Sequence, residues 1–322
     1  MHPYKLASAL ILMASTMVTI SSANMMTMWL GLELNMLMFL PLIHHFNSTT
    51  LETETAIKYM IPQLTASSAI MVDMMISTAT NTTLTTLTTL ALLMKLGASP
   101  LHLWFPMVMS TINMTPAFVL LTWQKLAPLS MLTMNTHNTS TVKVFIVTSA
   151  IFGGIMGLNQ TNLRTLLAFS SISHLAWMLT ASTNSIQATL TYITLYASTL
   201  LPMMLVLNTT TSITHKQTLS QHTPQGTKTI LVTSLLSLAG LPPLAGFWMK
   251  LMTLLTMTKT DSVILLSLTM STSLSLFYYM TLIFSIFLNN TNHEKWTSQM
   301  GLPTLLLLLL PQALSPLITL TI

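Results

Sequence analysis

The chain has 322 residues, of which 52% are hydrophobic and only 5% charged, and its formal net charge at pH 7 is +5. This composition excludes a soluble globular domain, because the apolar segments are too continuous to form the alternating faces of a water-soluble core. The sequence contains no cysteine, which excludes disulfides, thiolate-bound iron–sulfur clusters and cysteine zinc sites. We therefore interpret the chain as a polytopic membrane protein that would need a partner for any redox cofactor.

About eleven apolar stretches have the length of about 20 residues with which an α-helix crosses the hydrocarbon core. The predicted spans are 3–22, 24–44, 56–78, 84–104, 115–134, 142–158, 163–182, 186–207, 228–257, 262–288 and 302–321. The connections are short, so we predict an all-α fold with a single transmembrane domain over 1–322. The longest polar interruptions, 44–58 and 208–228, contain the Asn, Thr and Pro residues that are typical of surface loops.

Basic residues of the predicted loops are unevenly distributed between the two sides of the membrane. An N-terminus on the inner side places six of them there and two, Lys143 and Lys259, on the other side. The six inner residues are Lys5, Lys58, Arg164, Lys216, Lys228 and Lys295. Because positive residues collect in the inner loops of membrane proteins, we expect the N-terminus on the inner side.

Three lysines lie inside predicted spans: Lys95 in the fourth, Lys125 in the fifth and Lys250 in the ninth. A lysine at mid-membrane depth costs about 3 kcal/mol or more, and an apolar environment disfavours its charged form. A buried lysine can therefore gain and lose a proton near neutral pH. This property favours proton transfer as the role of the three lysines.

Two of the lysines lie beside residues that interrupt helices. Gly97, Ser99 and Pro100 follow Lys95, and the segment 240–246 before Lys250 contains two glycines and two prolines. Proline lacks an amide donor and clashes with the preceding turn, so we expect both helices to be discontinuous, with the lysines in the protein interior. Discontinuous helices beside a charge are typical of ion carriers, although proline and glycine can also simply kink a membrane helix.

Glu33 lies near the middle of the second span, between apolar residues. A carboxylate beside a lysine can stay ionised and keep the lysine charged, so we interpret Glu33 and Lys95 as a switch, with a static ion pair between helices as the alternative. Asp73 lies close to the end of its span, from which it could reach the membrane surface. Glu52 and Glu54 fall in a predicted loop, where we expect them to be solvated.

Two histidines are candidates for a proton relay, because imidazole titrates near neutral pH. His102 follows the first predicted break and His174 lies inside the seventh span. Each could instead be an ordinary polar residue at a helix contact. No helix carries a histidine pair for haem, and the sequence has neither a nucleotide-binding glycine loop nor a nucleophile elbow. We predict no metal site.

Five sequence blocks occur in a characteristic order: MWLGLELNML, MKLGASPLHLWFP, LLTWQKLAPLSML, GGIMGLNQTNLRTLLAFSSISHLAWM and LAGLPPLAGFWMKL. Over essentially the whole chain they resemble the antiporter-like membrane subunits of respiratory complex I, the NADH:ubiquinone oxidoreductase, in their smallest, animal mitochondrial form. The LTWQKLAPLS and GLNQTNLR blocks are the most specific. The resemblance implies an antiporter-like fold with about eleven transmembrane helices, two of them discontinuous, that lacks the first three helices of bacterial relatives.

The resemblance also implies roles for the buried charges. In the family a glutamate of the second span acts together with a lysine of the fourth, which here are Glu33 and Lys95. Lys125 matches the central proton-transfer residue, and Lys250 matches the lysine of the second discontinuous helix. Protons pass along this line when quinone is reduced elsewhere in the complex. NADH, FMN, iron–sulfur clusters and ubiquinone are bound by other subunits, and this chain is expected to bind no cofactor.

The expected partners are the other membrane subunits of complex I, including neighbouring antiporter-like subunits, and membrane lipids of the mitochondrial inner membrane, with the N-terminus on the matrix side. One residue departs from the family, which often has an acid directly after the WxP motif, where this chain has Met107. Two other classes remain open. A free-standing cation/proton antiporter would exchange ions without partners, and a purely structural subunit would tolerate loss of the lysines.

Overall fold

The computed structural model describes residues 3–44, 50–80, 85–134, 139–210, 225–242, 244–257 and 261–288. The chain divides into two compact units, unit 1 over Met1–Ser149 and unit 2 over Ala150–Ile322. The helices of unit 1 are α1 (Pro3–Ser21), α2 (Met25–Ile43), α3 (Thr50–Thr80), α4 (Thr85–Leu96), α5 (Trp104–Thr111), α6 (Met114–Leu121) and α7 (Trp123–Met134). Helix α8 (Thr139–Gly157) crosses the boundary between the units, and unit 2 continues with α9 (Leu163–Asn184), α10 (Ile186–Thr210), α11 (Gln225–Ala239), α12 (Ala245–Thr256) and α13 (Ser262–Leu288).

Five of the described helices are long and apolar enough to cross a membrane: α1, α2, α8, α10 and α13. Their exposed side chains include Leu10 on α1, Val144 on α8 and Phe277 on α13. Large apolar groups on the outside suit contact with lipid, because hydrocarbon imposes no penalty on them. Helices follow the predicted spans as far as residue 288, and the last predicted span, 302–321, lies outside the described residues.

Buried hydroxyl groups are compatible with these apolar helices because they bond to their own backbone. Ser15 donates to the carbonyl oxygen of Leu12 at 2.8 Å, and Ser149 donates to that of Phe145 at 2.6 Å. The same pattern recurs along α9, where Ser170 donates to Leu167 at 2.9 Å. Such bonds satisfy a hydroxyl without a partner helix, so a Thr- and Ser-rich sequence can form membrane helices.

Helix α3 begins earlier than predicted. The segment 44–58 was expected to be a loop, but the helix starts at Thr50, with Glu52 in its first turn. Glu54 and Lys58 lie four residues apart on it and form an ion pair of 3.2 Å. Acidic side chains near a helix N-terminus and a Glu–Lys pair at this spacing both favour helix, and this local preference outweighed the polar composition.

Helix α9 is buried along most of its length, since every residue from Leu166 to Ser182 is buried. Within unit 2 it is approached closely by Gly153 of α8, where an added Cβ atom would lie 2.6 Å from the backbone nitrogen of Ser173. The absent side chain therefore lets two helix backbones come together. The polar residues of α9 consequently face protein rather than lipid.

Candidate functional site

The first predicted break is present, between α4 and α5. Gly97 has a φ of 72°, and its amide donates to the carbonyl of Met94 at 3.1 Å while the amide of Ala98 donates to that of Leu93 at 3.0 Å. These two bonds form a Schellman motif, which favours glycine at the residue with positive φ. Helix α4 ends at Leu96, so Lys95 is part of its last turn.

Side chains of unit 1 complete the hydrogen bonds that the break leaves open. Gln63 of α3 donates to the backbone oxygen of Lys95 at 3.1 Å, and the indole of Trp104 donates to that of Met94 at 3.2 Å. A helix end at membrane depth needs such partners, because lipid offers none. The break is thus held by residues on α3 and α5.

Lys95 is 6% exposed, and its ammonium group has no hydrogen-bond partner within the described part of the chain. Glu33 of α2 is half-buried. Its carboxylate interacts electrostatically with the ammonium group of Lys95. The two groups do not form an ion pair, since the ion pair found among the described residues joins Lys58 to Glu54. The static ion pair considered as an alternative is therefore absent from the described part of the chain.

Lys125 lies on α7 and is 3% exposed. Its ammonium nitrogen is 5.7 Å from the centroid of the Phe105 ring, within the range of a cation–π contact. The helix containing Lys125 is interrupted at Thr122, whose hydroxyl donates to the carbonyl of Phe118 at 2.7 Å. The sequence did not predict this interruption of the span 115–134.

Lys95 and Lys125 line one cavity in unit 1. The cavity has a volume of about 20 Å³ for the centres of water molecules, which is enough room for a water molecule. Its walls also carry the polar groups to which water can bond. Two of the polar lining residues are hydrogen-bonded, since the side-chain amide of Gln124 donates to Oδ1 of Asn35 at 3.2 Å. The remaining lining residues are Leu32, Met36, Tyr59, Gln63, Leu96, Trp104, Phe105, Leu120 and Pro128. Two cationic side chains thus share a small polar cavity.

The second predicted break is present between α11 and α12, in unit 2. Gly240 has a φ of 88°, its amide donates to Ser237 at 3.0 Å, and the amide of Leu241 donates to Leu236 at 3.3 Å. This is again a Schellman motif. Gly246 is seated on the end of α11, because an added Cβ atom would overlap the carbonyl oxygen of Ser237.

Lys250 lies on α12 and is 8% exposed. Its ammonium group donates to the carbonyl of Ala239, the last residue of α11, at 3.0 Å. A helix C-terminus carries partial negative charge and unsatisfied carbonyl groups. Lys250 of α12 therefore supplies a hydrogen-bond donor to a carbonyl group at the C-terminal end of α11.

The two histidine candidates occupy different surroundings. His102 is buried between the first break and α5, and its carbonyl accepts the amide of Phe105 at 2.9 Å. His174, on α9 in unit 2, has its Nδ1 atom 2.8 Å from the hydroxyl of Tyr192. Helices α9–α13 contain no aspartate or glutamate, and Asp261 directly precedes α13.

Asp73 is a buried acid of unit 1. It is 6% exposed on α3, and its Oδ1 atom has no hydrogen-bond partner among the described residues. The described residues contain no group of three or more His, Asp or Glu side chains that could hold a metal ion.

Sequence reasoning missed the neutral polar residues that hold the site, chiefly Gln63, Asn35 and Gln124. A signal for them was present, since each is an amide inside a predicted span. Amides in membrane helices need partners, and Gln124 stands next to Lys125. Tyr192 carried no such signal, because tyrosine is an ordinary residue of membrane helices.

A family model and a curated relative both match the chain. Residues 22–275 match the family model described as "NADH:quinone oxidoreductase/Mrp antiporter, TM". A chain 2 of NADH-ubiquinone oxidoreductase from Mammuthus primigenius is 37% identical, with 99% of each chain covered.

Two solved structures share the fold. A chain of respiratory complex I from Thermus thermophilus matches with a TM-score of 0.83 and 22% identity, covering 98% of this chain and 79% of that one. A chain of the membrane-bound sulfane sulfur reductase, an archaeal respiratory membrane complex, matches with a TM-score of 0.80 and 18% identity, covering 97% and 72%. The antiporter-like arrangement of helices is therefore the fold of this chain.

Proposed function

The chain belongs to the NADH:quinone oxidoreductase/Mrp antiporter family and is an antiporter-like membrane subunit of complex I, and from this premise we propose that it moves protons through Glu33, Lys95, Lys125 and Lys250. The proton movement is coupled to electron transfer from NADH to ubiquinone, which takes place in other subunits. His102 and His174 are further relay residues in this proposal. The chain itself holds no redox centre.

The observation that carries the proposal is the shared cavity of Lys95 and Lys125. Both ammonium groups are buried, and the cavity between the surrounding helices has room for water. Placing a lysine inside a membrane-spanning segment costs about 3 kcal/mol, so its presence there points to a function. Water beside two titratable amines supplies a route by which a proton can pass from one to the other.

Changes of charge drive the transfer in steps. A positive charge arriving beside a buried neutral lysine disfavours its protonated form, and departure of that charge favours it again. Glu33 is the acidic group that acts on Lys95, so a change in the charge or position of Glu33 alters the proton affinity of Lys95. Moving one elementary charge through 100 mV requires about 2.3 kcal/mol, which electrostatic changes of this kind can supply.

Lys250 is the proposed relay lysine of unit 2. Its hydrogen bond to Ala239 holds the ammonium group at the end of α11, and release of a proton would leave a neutral amine that can turn away from the carbonyl. The lysine thus changes its hydrogen bonding as it changes charge. This coupling suits a residue that passes protons between two environments.

The proposed setting is the mitochondrial inner membrane, with the N-terminus on the matrix side as the distribution of loop lysines favours. Neighbouring antiporter-like subunits and lipids surround the chain. The proposed fold has about eleven spans and lacks the first three helices of bacterial relatives. A shorter chain agrees with the 79% of the Thermus chain that is covered.

Replacement of Lys125 by methionine tests the function. Methionine is apolar and similar in length, so Lys125→Met removes the charge with little change in packing, and assembly should be preserved. We expect NADH:quinone turnover and NADH-driven proton translocation to fall about tenfold or more, the effect of roughly 1.4 kcal/mol on a rate-limiting step. Both rates are measured in vesicles that contain equal amounts of assembled complex.

The matched control is Lys143→Met, the same substitution at an exposed lysine of α8, for which both rates should stay at the wild-type value. Wild-type rates for assembled Lys125→Met would overturn the proton-relay function. Ion exchange by the purified chain alone in liposomes would instead support the free-standing antiporter, as would its migration apart from a large NADH-oxidising assembly in native electrophoresis.

A further inference from the structure

His174 occupies the centre of a helix that is buried on all sides. Its side chain is 2% exposed on α9, and the helix residues before and after it are also buried. A histidine so placed can be protonated only if the surrounding protein supplies an acceptor for the new N–H group, since water is excluded.

The surroundings of His174 supply dipoles rather than charges. No carboxylate occurs on α9–α13, and the charged groups of these helices are the cations Arg164, Lys228 and Lys250. Tyrosine rings lie close instead: the ring centroid of Tyr196 is 5.0 Å from that of His174. An imidazolium here would have the hydroxyl oxygen of Tyr192 within hydrogen-bond distance of Nδ1.

Tyr192 provides a hydrogen bond that suits both charge states of the imidazole. Its hydroxyl is 2.8 Å from Nδ1, and its side chain is 1% exposed. A phenolic hydroxyl can donate to an unprotonated ring nitrogen or accept from a protonated one. When His174 carries both protons, Nδ1 must donate, and the oxygen of Tyr192 is placed to accept.

We propose that Tyr192 is the positioning residue of His174: its hydroxyl fixes the ring through Nδ1, donating to Nδ1 of the neutral ring and accepting Nδ1–H of the imidazolium. In this arrangement an incoming proton adds to the lone pair of Nδ1 as the Tyr192 hydroxyl turns its own proton away, and the same N–H bond breaks when the proton leaves and the hydroxyl turns back. The inference rests on the proposed function, in which His174 is a relay residue.

The test removes one oxygen atom. Tyr192→Phe keeps the ring and deletes the acceptor for Nδ1–H, and we expect NADH-driven proton translocation in the assembled complex to fall about tenfold, as loss of a hydrogen bond to a charged group implies. Tyr278→Phe is the matched control, because Tyr278 is 3% exposed and its hydroxyl makes no hydrogen bond of ordinary geometry among the described residues. The control should translocate protons at the wild-type rate.

A double-mutant cycle separates positioning from packing. His174→Asn removes the titratable ring while leaving a polar atom near Tyr192, and the pair His174→Asn with Tyr192→Phe should be no worse than His174→Asn alone. Additive losses in the pair would overturn the inference, as would equal losses in Tyr192→Phe and Tyr278→Phe. Failure of Tyr192→Phe alone to assemble would also overturn it, since a positioning residue leaves the fold intact.

Lys125→Met in the same assay distinguishes the two proposals. Wild-type translocation by Tyr192→Phe together with impaired Lys125→Met would overturn the role of Tyr192 and retain the proposed function. Wild-type translocation by both variants would overturn the function itself.

Discussion

The break between α4 and α5 and the break between α11 and α12 share a backbone design but differ in the position of the lysine. Each first half-helix ends in a Schellman motif on a glycine with positive φ, Gly97 and Gly240. Lys95 lies before its break and leaves its ammonium group without a hydrogen bond among the described residues. Lys250 lies after its break and donates to the last carbonyl of α11.

The difference follows from which group satisfies the open carbonyls. At the first break Gln63 and Trp104 take this role, so Lys95 is not needed for it and can face a cavity. At the second break Lys250 fills the role itself. A similar sequence signature, lysine with glycine and proline, thus produces one lysine that lines a cavity without a hydrogen bond to its ammonium group among the described residues, and another that is bonded to a helix end.

The largest effect should come from crowding the second break. In Gly246→Ala the new Cβ atom would overlap the carbonyl oxygen of Ser237, and because this oxygen belongs to the backbone, the two half-helices would have to separate. We expect loss of the assembled chain, measured as the amount of complex in native electrophoresis.

Gly97→Ala is the comparison at the first break. Its Cβ atom would meet side chains at 3.3 Å or more, so the cost is mainly that of positive φ, about 1 kcal/mol, and complex should still form. If Gly97→Ala and Gly246→Ala assembled equally well, the close contact between Gly246 and the backbone of Ser237 would not be needed at the second break.

The next effect contrasts the two lysines. Lys250→Met deletes the donor to Ala239 and leaves a buried carbonyl unsatisfied, which costs about 1–3 kcal/mol. Lys95→Met deletes an ammonium group with no hydrogen bond to lose among the described residues, so stability should be unchanged or higher. Loss of the assembled complex on heating, followed by native electrophoresis, measures the difference, and a lower midpoint for Lys95→Met than for Lys250→Met would reverse our assignment.

Both breaks could be predicted from sequence because glycine and proline act locally, through backbone conformation and the missing amide. The burial of Lys95, Lys125 and Lys250 followed from their places within apolar spans. The partners of these lysines could not be predicted, because Gln63 is 32 residues from Lys95 along the chain and only packing brings the two together. The interruption at Thr122 was also missed, since threonine has no strong tendency to end a helix.

A smaller effect concerns the charge beside Lys95. Glu33→Gln preserves size and removes the charge that acts on Lys95, and no ion pair within the described residues is lost by it. We expect normal assembly and a fall in coupled NADH:quinone turnover of about three- to tenfold, equivalent to roughly 0.7–1.4 kcal/mol. Glu54→Gln, at the exposed acid of the α3 ion pair, should leave turnover unchanged, and full proton pumping by assembled Glu33→Gln would reduce Glu33 to a structural residue.

The smallest effect should come from Gln63, which holds the first break without carrying charge. Gln63→Leu removes the donor to the Lys95 carbonyl. Because Gln63 and Lys95 both line the cavity, we expect water to replace the amide there. The loss of stability should therefore be about 1 kcal/mol, at the low end of the range for an unsatisfied buried group. Lys250→Met offers the matched case at the other break, where a donor to a half-helix carbonyl is also removed. Loss of the two assembled variants on heating, followed by native electrophoresis, compares them, and a larger loss for Gln63→Leu would mean that water does not replace the amide at the first break.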